Sequence, residues 1–313
     1  MKKLFLYASL LLIIGLLGAC RKVIEAKDLP QQDPRIVVNC LIFNNDTVRA
    51  NITASKSILS GKDYKYLDNA ICELYENDTY VEQLVNRKNG NFVGKKLAQS
   101  GKKYTLKVAC AGYKSVEGST TLGDSVVVKG VERTDSVNYY FRKENQSTYQ
   151  YIGGNVRYKV LIKDDIKIRN YYSIQPIVVL MDSLGSPVDF SITPYISLLN
   201  GDSNSGVSYY GTSIETDDQT LVNGNEVRLD LDISFNISSS PLPPATSVQV
   251  YLILGNISED LYKYKVTSNK QAFESGGLFS EPVLVYNNVT NGMGIVGGVN
   301  SNVYFLYSGP LKK

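Results

Sequence analysis

The 313-residue sequence contains no histidine and no tryptophan. Without histidine there is no imidazole metal ligand, no imidazole general base, and no Ser/His/Asp or Cys/His triad. Without tryptophan, one common platform for stacking sugars or bases is missing. Cysteine is scarce, with only Cys20, Cys40, Cys72 and Cys110. None of them stands in a Cys-x-x-Cys spacing, and no histidine can complete a set, which argues against structural zinc. Charge of one sign is also lacking: 33 Lys and Arg face 30 Asp and Glu. No basic stripe or arginine cluster stands out, so no nucleic-acid partner is expected.

What is present begins at the N-terminus. Lys2 and Lys3 precede an almost wholly apolar run from Leu4 to Leu17. That is the shape of a secretory signal, and the run is too short for a comfortable membrane span. Leu17, Gly18, Ala19 and Cys20 resemble a bacterial lipobox, in which the cysteine becomes the first mature residue and carries the lipid. Its thiol takes diacylglycerol, and acyl chains such as palmitate then give stable anchoring. Removing residues 1–19 removes two lysines and no acid. Residues 20–34, with Pro30 and Pro34 and no clear period, read as a tether.

The remaining cysteines lie in apolar, strand-like segments. Cys72 shares a phase with Ala70 and Leu74, and Cys110 with Leu106 and Val108. Buried free thiols are the first expectation; one disulfide among the three stays open as an alternative.

Residues 35–122 carry many short alternating segments. Ile36–Phe43 is the first, and Thr47–Thr53 places Val48, Ala50 and Ile52 on one face. Asn77-Asp78 and Asn89-Gly90 read as tight turns between strands. The spacing predicts a small β-sandwich of immunoglobulin-like or transthyretin-like kind. Residues 123–313 read as a larger β domain, with strands expected over Val156–Ile162, Tyr171–Met181, Glu226–Phe235 and Ser247–Leu254. Asn236–Thr246, rich in Ser and Pro, reads as a turn region that no central strand enters. One short helix is expected after Ser258, a natural cap followed by Glu259 and Asp260 in the first turn. The fold class expected is therefore all-β, a smaller sandwich followed by a larger one with one short helix.

The C-terminal stretch carries a recognisable pattern. It runs Phe279-Ser280-Glu281-Pro282, then Val285-Tyr286-Asn287-Asn288-Val289, then Asn291-Gly292-Met293-Gly294-Ile295-Val296-Gly297-Gly298. With the lipobox, the early strand, Asn170-Tyr171-Tyr172 and the Ser258–Gln271 segment, it resembles a Bacteroidota lipoprotein family known as domain of unknown function 4249. That resemblance implies an immunoglobulin-like module followed by a larger β domain, encoded near TonB-dependent outer-membrane receptors. It implies no catalytic residues. It also implies an outer-membrane location. Surface-exported lipoproteins of the Bacteroidota often carry an acidic cluster just after the lipidated cysteine, whereas Arg21 and Lys22 stand here with Glu25 isolated, which favours the periplasmic face over the cell surface.

Gly292, Gly294 and Gly297 spell a literal G-x-G-x-x-G. A dinucleotide site needs a following helix and an acid about 20 residues on, and neither is present. Pro282, Asn288, Gly292, Gly294, Gly297 and Gly298 are read instead as a structural C-terminal motif, with the glycines in a turn or loop packed close to the sheet. Tyr209 and Tyr210, in loop-like surroundings, are the candidate recognition surface. Asp217-Asp218 with Glu215 reads as a loop and is the better Ca²⁺ candidate among the acidic pairs, though no EF-hand spacing supports it. Asp230 and Asp232 alternate with leucines, as on a solvated strand face. No catalytic residue, metal or cofactor is expected. The function expected is that of a non-catalytic outer-membrane accessory lipoprotein, anchored in lipid through Cys20 and assisting a TonB-dependent receptor. An adhesin or structural envelope protein is the first alternative, and a carboxylate-based hydrolase the second.

Overall fold

The computed structural model describes residues 33–56, 63–134, 138–143, 150–164, 167–188, 192–200, 210–219, 221, 225–239, 245–274 and 283–311. The lipobox residues Leu17, Gly18, Ala19 and Cys20, together with Tyr209 and Pro282, lie outside them. The chain divides into two units, 1–34 with 56–64, and 35–55 with 65–313. In the first, Lys56 Nζ stands 4.4 Å from the centre of the Tyr64 ring. The second holds every described strand and the helix.

In chain order the strands are β1 (Ile36–Phe43), β2 (Thr47–Ala54), β3 (Lys65–Tyr66), β4 (Ile71–Glu76), β5 (Thr79–Gln83), β6 (Val85–Asn86) and β7 (Asn91–Leu97). Then come β8 (Lys103–Ala109), β9 (Val116–Thr121), β10 (Val127–Arg133), β11 (Asn138–Lys143), β12 (Gln150–Lys163), β13 (Tyr171–Met181) and β14 (Tyr195–Leu198). The chain continues with β15 (Tyr210–Gly211), β16 (Ile214–Asp217), β17 (Glu226–Ser239), β18 (Ser247–Ile257), helix α1 (Glu259–Glu274), β19 (Val289–Thr290) and β20 (Met293–Pro310). The protein is thus nearly all-β, and among the described residues its sheets are open rather than closed into a barrel.

Three sheets form. A nine-stranded sheet runs β16-β13-β18-β20-β1-β2-β7-β6, with β3 also on β2. A six-stranded sheet runs β10-β12-β17-β14-β15, with β11 also on β12, and a five-stranded one runs β19-β9-β8-β4-β5. β1 and β20 pair in parallel, from Val37 opposite Met293 to Phe43 opposite Val299. Every other pairing among the described strands is antiparallel.

Alternation explains the packing. Val38, Cys40 and Ile42 of β1, Val48, Ala50 and Ile52 of β2, and Cys72, Leu74, Leu106 and Val108 of the five-stranded sheet share one core. Leu229, Leu231 and Ile233 of β17 face Val248, Val250 and Leu252 of β18 in another. Each such Val, Leu or Ile side chain contributes about 1.5–3 kcal/mol by leaving water. A third, small cluster of Tyr171, Ile257, Leu261 and Ile295 seats α1 on the nine-stranded sheet. The Ser258 hydroxyl caps that helix, accepting from Leu261 N–H at 3.3 Å. Cys40, Cys72 and Cys110 are free and buried.

Two expectations are corrected. β17 continues through Asn236–Ser239, pairing with Gln150–Gly153, where a turn region was expected. Those four residues keep their N–H donors, and the first proline comes only at Pro241. The glycine-rich motif is likewise a strand rather than a loop: Gly294, Gly297 and Gly298 lie inside β20, and only Gly292 sits in the turn before it.

Candidate functional site

The C-terminal motif is built as a clasp. The Gly294 φ is +110°, and a Cβ there would meet the Val38 carbonyl oxygen at 2.0 Å, so only glycine permits the parallel pairing with β1. At Gly297 a Cβ would stand 2.9 Å from Leu261 Cβ, so its absence lets α1 sit directly on β20. The Asn288 side chain acts as an extra strand partner. Its Oδ1 accepts from Val296 N–H at 2.9 Å, and its Nδ2 donates to Val296 O at 2.9 Å and to Ser119 O at 3.0 Å. Gly298 N–H donates to the Ser258 hydroxyl at 3.1 Å. Helix, β9 and β20 are thereby tied at one place.

Beside the clasp lies a cleft of about 590 Å³ on the five-stranded sheet. Its construction follows from alternation. On β4, Cys72 and Leu74 point into the core, which turns Ile71, Glu73 and Tyr75 outward. Strand register sets Ile71 beside Ala109, Glu73 beside Lys107, and Lys107 beside Glu117. Thr290 of β19, Asn291 in the turn before β20, and Val108, Ser115 and Val116 complete the lining. Lys107 Nζ is 3.6 Å from Glu117 and 4.5 Å from the centre of the Tyr75 ring. Tyr75 donates its hydroxyl to Glu73 at 3.1 Å, and that bond raises the phenol above its ordinary value. Tyr80 meets Tyr75 edge to face at 5.7 Å. The site therefore presents one ammonium, two carboxylates, small hydroxyl and amide groups, and an apolar Ile71 that is half exposed. Such groups recognise a polar partner by hydrogen bonds.

Burial pushes the Cys40 and Cys72 thiols up to about 12, so they stay protonated near neutral pH.

The other sequence candidates are dispersed. Tyr210 opens β15, which pairs with β14, so it lies in a short strand. Glu215 and Asp217 belong to β16 rather than to a loop, and the three carboxylates go to different partners. Glu215 is buried and accepts from Lys265 Nζ of α1 at 2.6 Å, Asp217 pairs with Arg169 at 2.6 Å, and Asp218 accepts from Asn170 N–H at 2.6 Å. Among the described residues, no three Asp, Glu or Cys side chains come together to hold a metal. Asp230 and Asp232 lie on the outer face of β17, paired with Arg228 and Arg157. Sequence reasoning missed the cleft. The phases of β4, β8 and β9 were its only signal, and they converge only once the register is known.

The sequence profile of domain of unknown function 4249 matches residues 24–304. The chain belongs to that family. No curated protein matches this family member. Among solved structures, it resembles the major pilin subunit BcpA of Bacillus cereus at 14% identity and a TM-score of 0.20, over 72% of this chain. The chain spans 65% of that pilin. A manganese lipoxygenase structure of Gaeumannomyces graminis, with a partial zonadhesin of Komagataella pastoris, is similar at 10% identity and a TM-score of 0.17. It covers 88% of this chain and 95% of that one.

Proposed function

We propose that this family member is a non-catalytic accessory lipoprotein of an outer membrane, held by lipid at Cys20, that binds a polar protein surface through the Glu73–Lys107–Glu117 cleft. The partner is a TonB-dependent receptor. The observation that carries the reading is the cleft: Glu73, Lys107 and Glu117 stand side by side across three strands on a face turned away from the core. A chain with that face, buried thiols and an N-terminal lipid signal suits binding better than catalysis. Among the described residues no helix is long and apolar enough to cross a membrane, so attachment in this reading falls to the lipid.

Gentle affinity purification from native envelopes, with mass spectrometry of the eluate, tests it. A stoichiometric outer-membrane barrel is expected with the wild type, and its loss with the double variant Glu73→Ala, Lys107→Ala. A solitary protein in both cases overturns the receptor reading. One observation favours an adhesin or structural role as the second reading. Phe305 and Val303 of β20 lie exposed beside Tyr251, whose ring meets Phe305 at 5.5 Å. Self-association or surface binding lost on Phe305→Ser, with the cleft variant unaffected, would select it.

A further inference from the structure

A strand at a sheet edge is a template for another strand, and folded proteins blunt such edges with charges, proline, bulges or short strands. The edge strands β5, β10 and β16 follow that rule. β5 carries Glu82, β16 carries Glu215 and Asp217, and β10 carries Lys129, Glu132 and Arg133 with a bulge at Lys129. The second half of β20 does not. β1 covers β20 only as far as Val299. From Ser301 to Phe305, β20 pairs with β18 on one side and with no described strand on the other. No charged residue occurs between Met293 and Pro310, and the bulge on β18 comes only after Phe305. Ser301 and Asn302 are exposed, Val303 is 62% exposed and Phe305 57%.

The direction of the free main-chain groups follows from the last covered residue. Asn44 N–H donates to Val299 O at 3.0 Å, so Val299 turns its main-chain groups away from β18. That direction alternates along a strand, so Ser301, Val303 and Phe305 turn N–H and C=O toward the open side as well. Their side chains share the outer face, where Val303 stands beside Ile253 and Phe305 beside Tyr251. That face carries no charge: its neighbours on β18 are Gln249, Tyr251 and Ile253.

We infer that two copies of this chain join edge to edge, β20 against β20 in antiparallel, about a two-fold axis through Val303. The axis sets Val303 beside Val303 and Ser301 beside Phe305. Three N–H groups on each copy then meet three C=O groups on the other. Side chains stay on their own face, and no like charges are opposed. Neighbouring registers that keep the faces match less. An axis through Asn302 sets Phe305 against Val299, whose carbonyl already serves Asn44. An axis through Tyr304 sets Ser301 against Tyr307, beyond the bulge. The inference rests on the second reading above and gives that self-association a register. It leaves the cleft of the five-stranded sheet free. One strand pair is small for a stable dimer, so the equilibrium depends on concentration.

Disulfide trapping of the full chain, in mild detergent and in native envelopes, reads the register. Val303→Cys sets two thiols on the axis, with Cα atoms about 5.5 Å apart, within reach of a disulfide. Phe305→Cys sets its thiols four residues apart along the strands, about 13 Å, and out of reach. With the oxidant diamide, a linked species of twice the mass is expected from Val303→Cys and not from Phe305→Cys or the wild type. In sedimentation at rising concentration, the wild type is expected to pass from monomer to dimer while Val303→Pro stays monomeric. That variant removes an N–H that no described strand uses, so the pairing with β18 survives. A monomer throughout, or equal trapping from both cysteine variants, overturns the inference. Association that survives Val303→Pro but is lost on Phe305→Ser also overturns it, while the second reading stands. Should Val303→Pro not fold, the contrast between the two cysteine variants decides.

Discussion

The two cores of the second unit are built by opposite means. The larger one, around β12, β13, β17 and β18, is made of long antiparallel neighbours; β12 and β17 pair over 14 residues, from Gln150 opposite Ser239 to Lys163 opposite Glu226. The smaller one begins with β1 and β2 but takes Val289 and Val296 from the far end of the chain. Its β1 is flanked by a parallel strand more than 250 residues away in sequence, Val37 opposite Met293. The larger core is closed by pattern, the smaller by a clasp in which single atoms matter. Long-range closure costs chain entropy that local pairing does not, so the smaller core depends on how well its last contacts fit.

That contrast can be broken at several points. The largest effect is expected from Gly294→Val. Its Cβ has no room beside Val38 O and its φ is positive, so a loss of about 4 kcal/mol is expected. Urea unfolding measures the loss, and hydrogen exchange should place it in β1, β2 and β20 first. Asn288→Ala comes next, at about 2–3 kcal/mol, because it strips partners from Val296 N–H, Val296 O and Ser119 O. Equal loosening of both cores would break the comparison. Glu215→Gln, in the larger half, removes a buried carboxylate from Lys265. The ammonium is a third exposed and rehydrates, so about 1–2 kcal/mol is expected, seen as earlier exchange in α1.

The smallest effect sharpens the contrast instead. Lys96, 3.1 Å away, and the Tyr104 hydroxyl hold the Glu76 carboxyl below its usual range against its partial burial. Its contribution is present above the ordinary glutamate value and is lost as pH falls through the lowered one. Asp218 runs the other way. Exchange compared between about pH 7 and about pH 4, corrected for intrinsic rates, should show protection falling around β4 and β8 while it rises around β13 and β16.

Much of the architecture was legible from alternation. Ile36–Phe43 and Tyr171–Met181 have the bounds that their apolar periodicity predicts. The helix start was readable because Ser258, Glu259 and Asp260 suit a first turn in any context. What was illegible is what depends on pairing across long separations. The run Gly294–Gly298 has too little side chain to show a period of two, so it reads as a loop until β1 is set beside it. The cleft hides for the same reason. Glu73, Lys107 and Glu117 are ordinary solvent-phase residues in three segments, and only the register makes them neighbours. Asp164 and Asp218 both accept from Asn170 because it lies between two strand ends, which no local pattern encodes.

The parallel seating of β1 also bears on mechanics. A pull on Arg35 along the strand enters β1 at its first residue, with β2 paired on one side and β20 on the other. The seven rungs to β20, from Val37 to Phe43, then carry the load in shear and share it, instead of peeling apart one after another. A chain held by its N-terminal end and tugged by a moving partner would yield last at that strand.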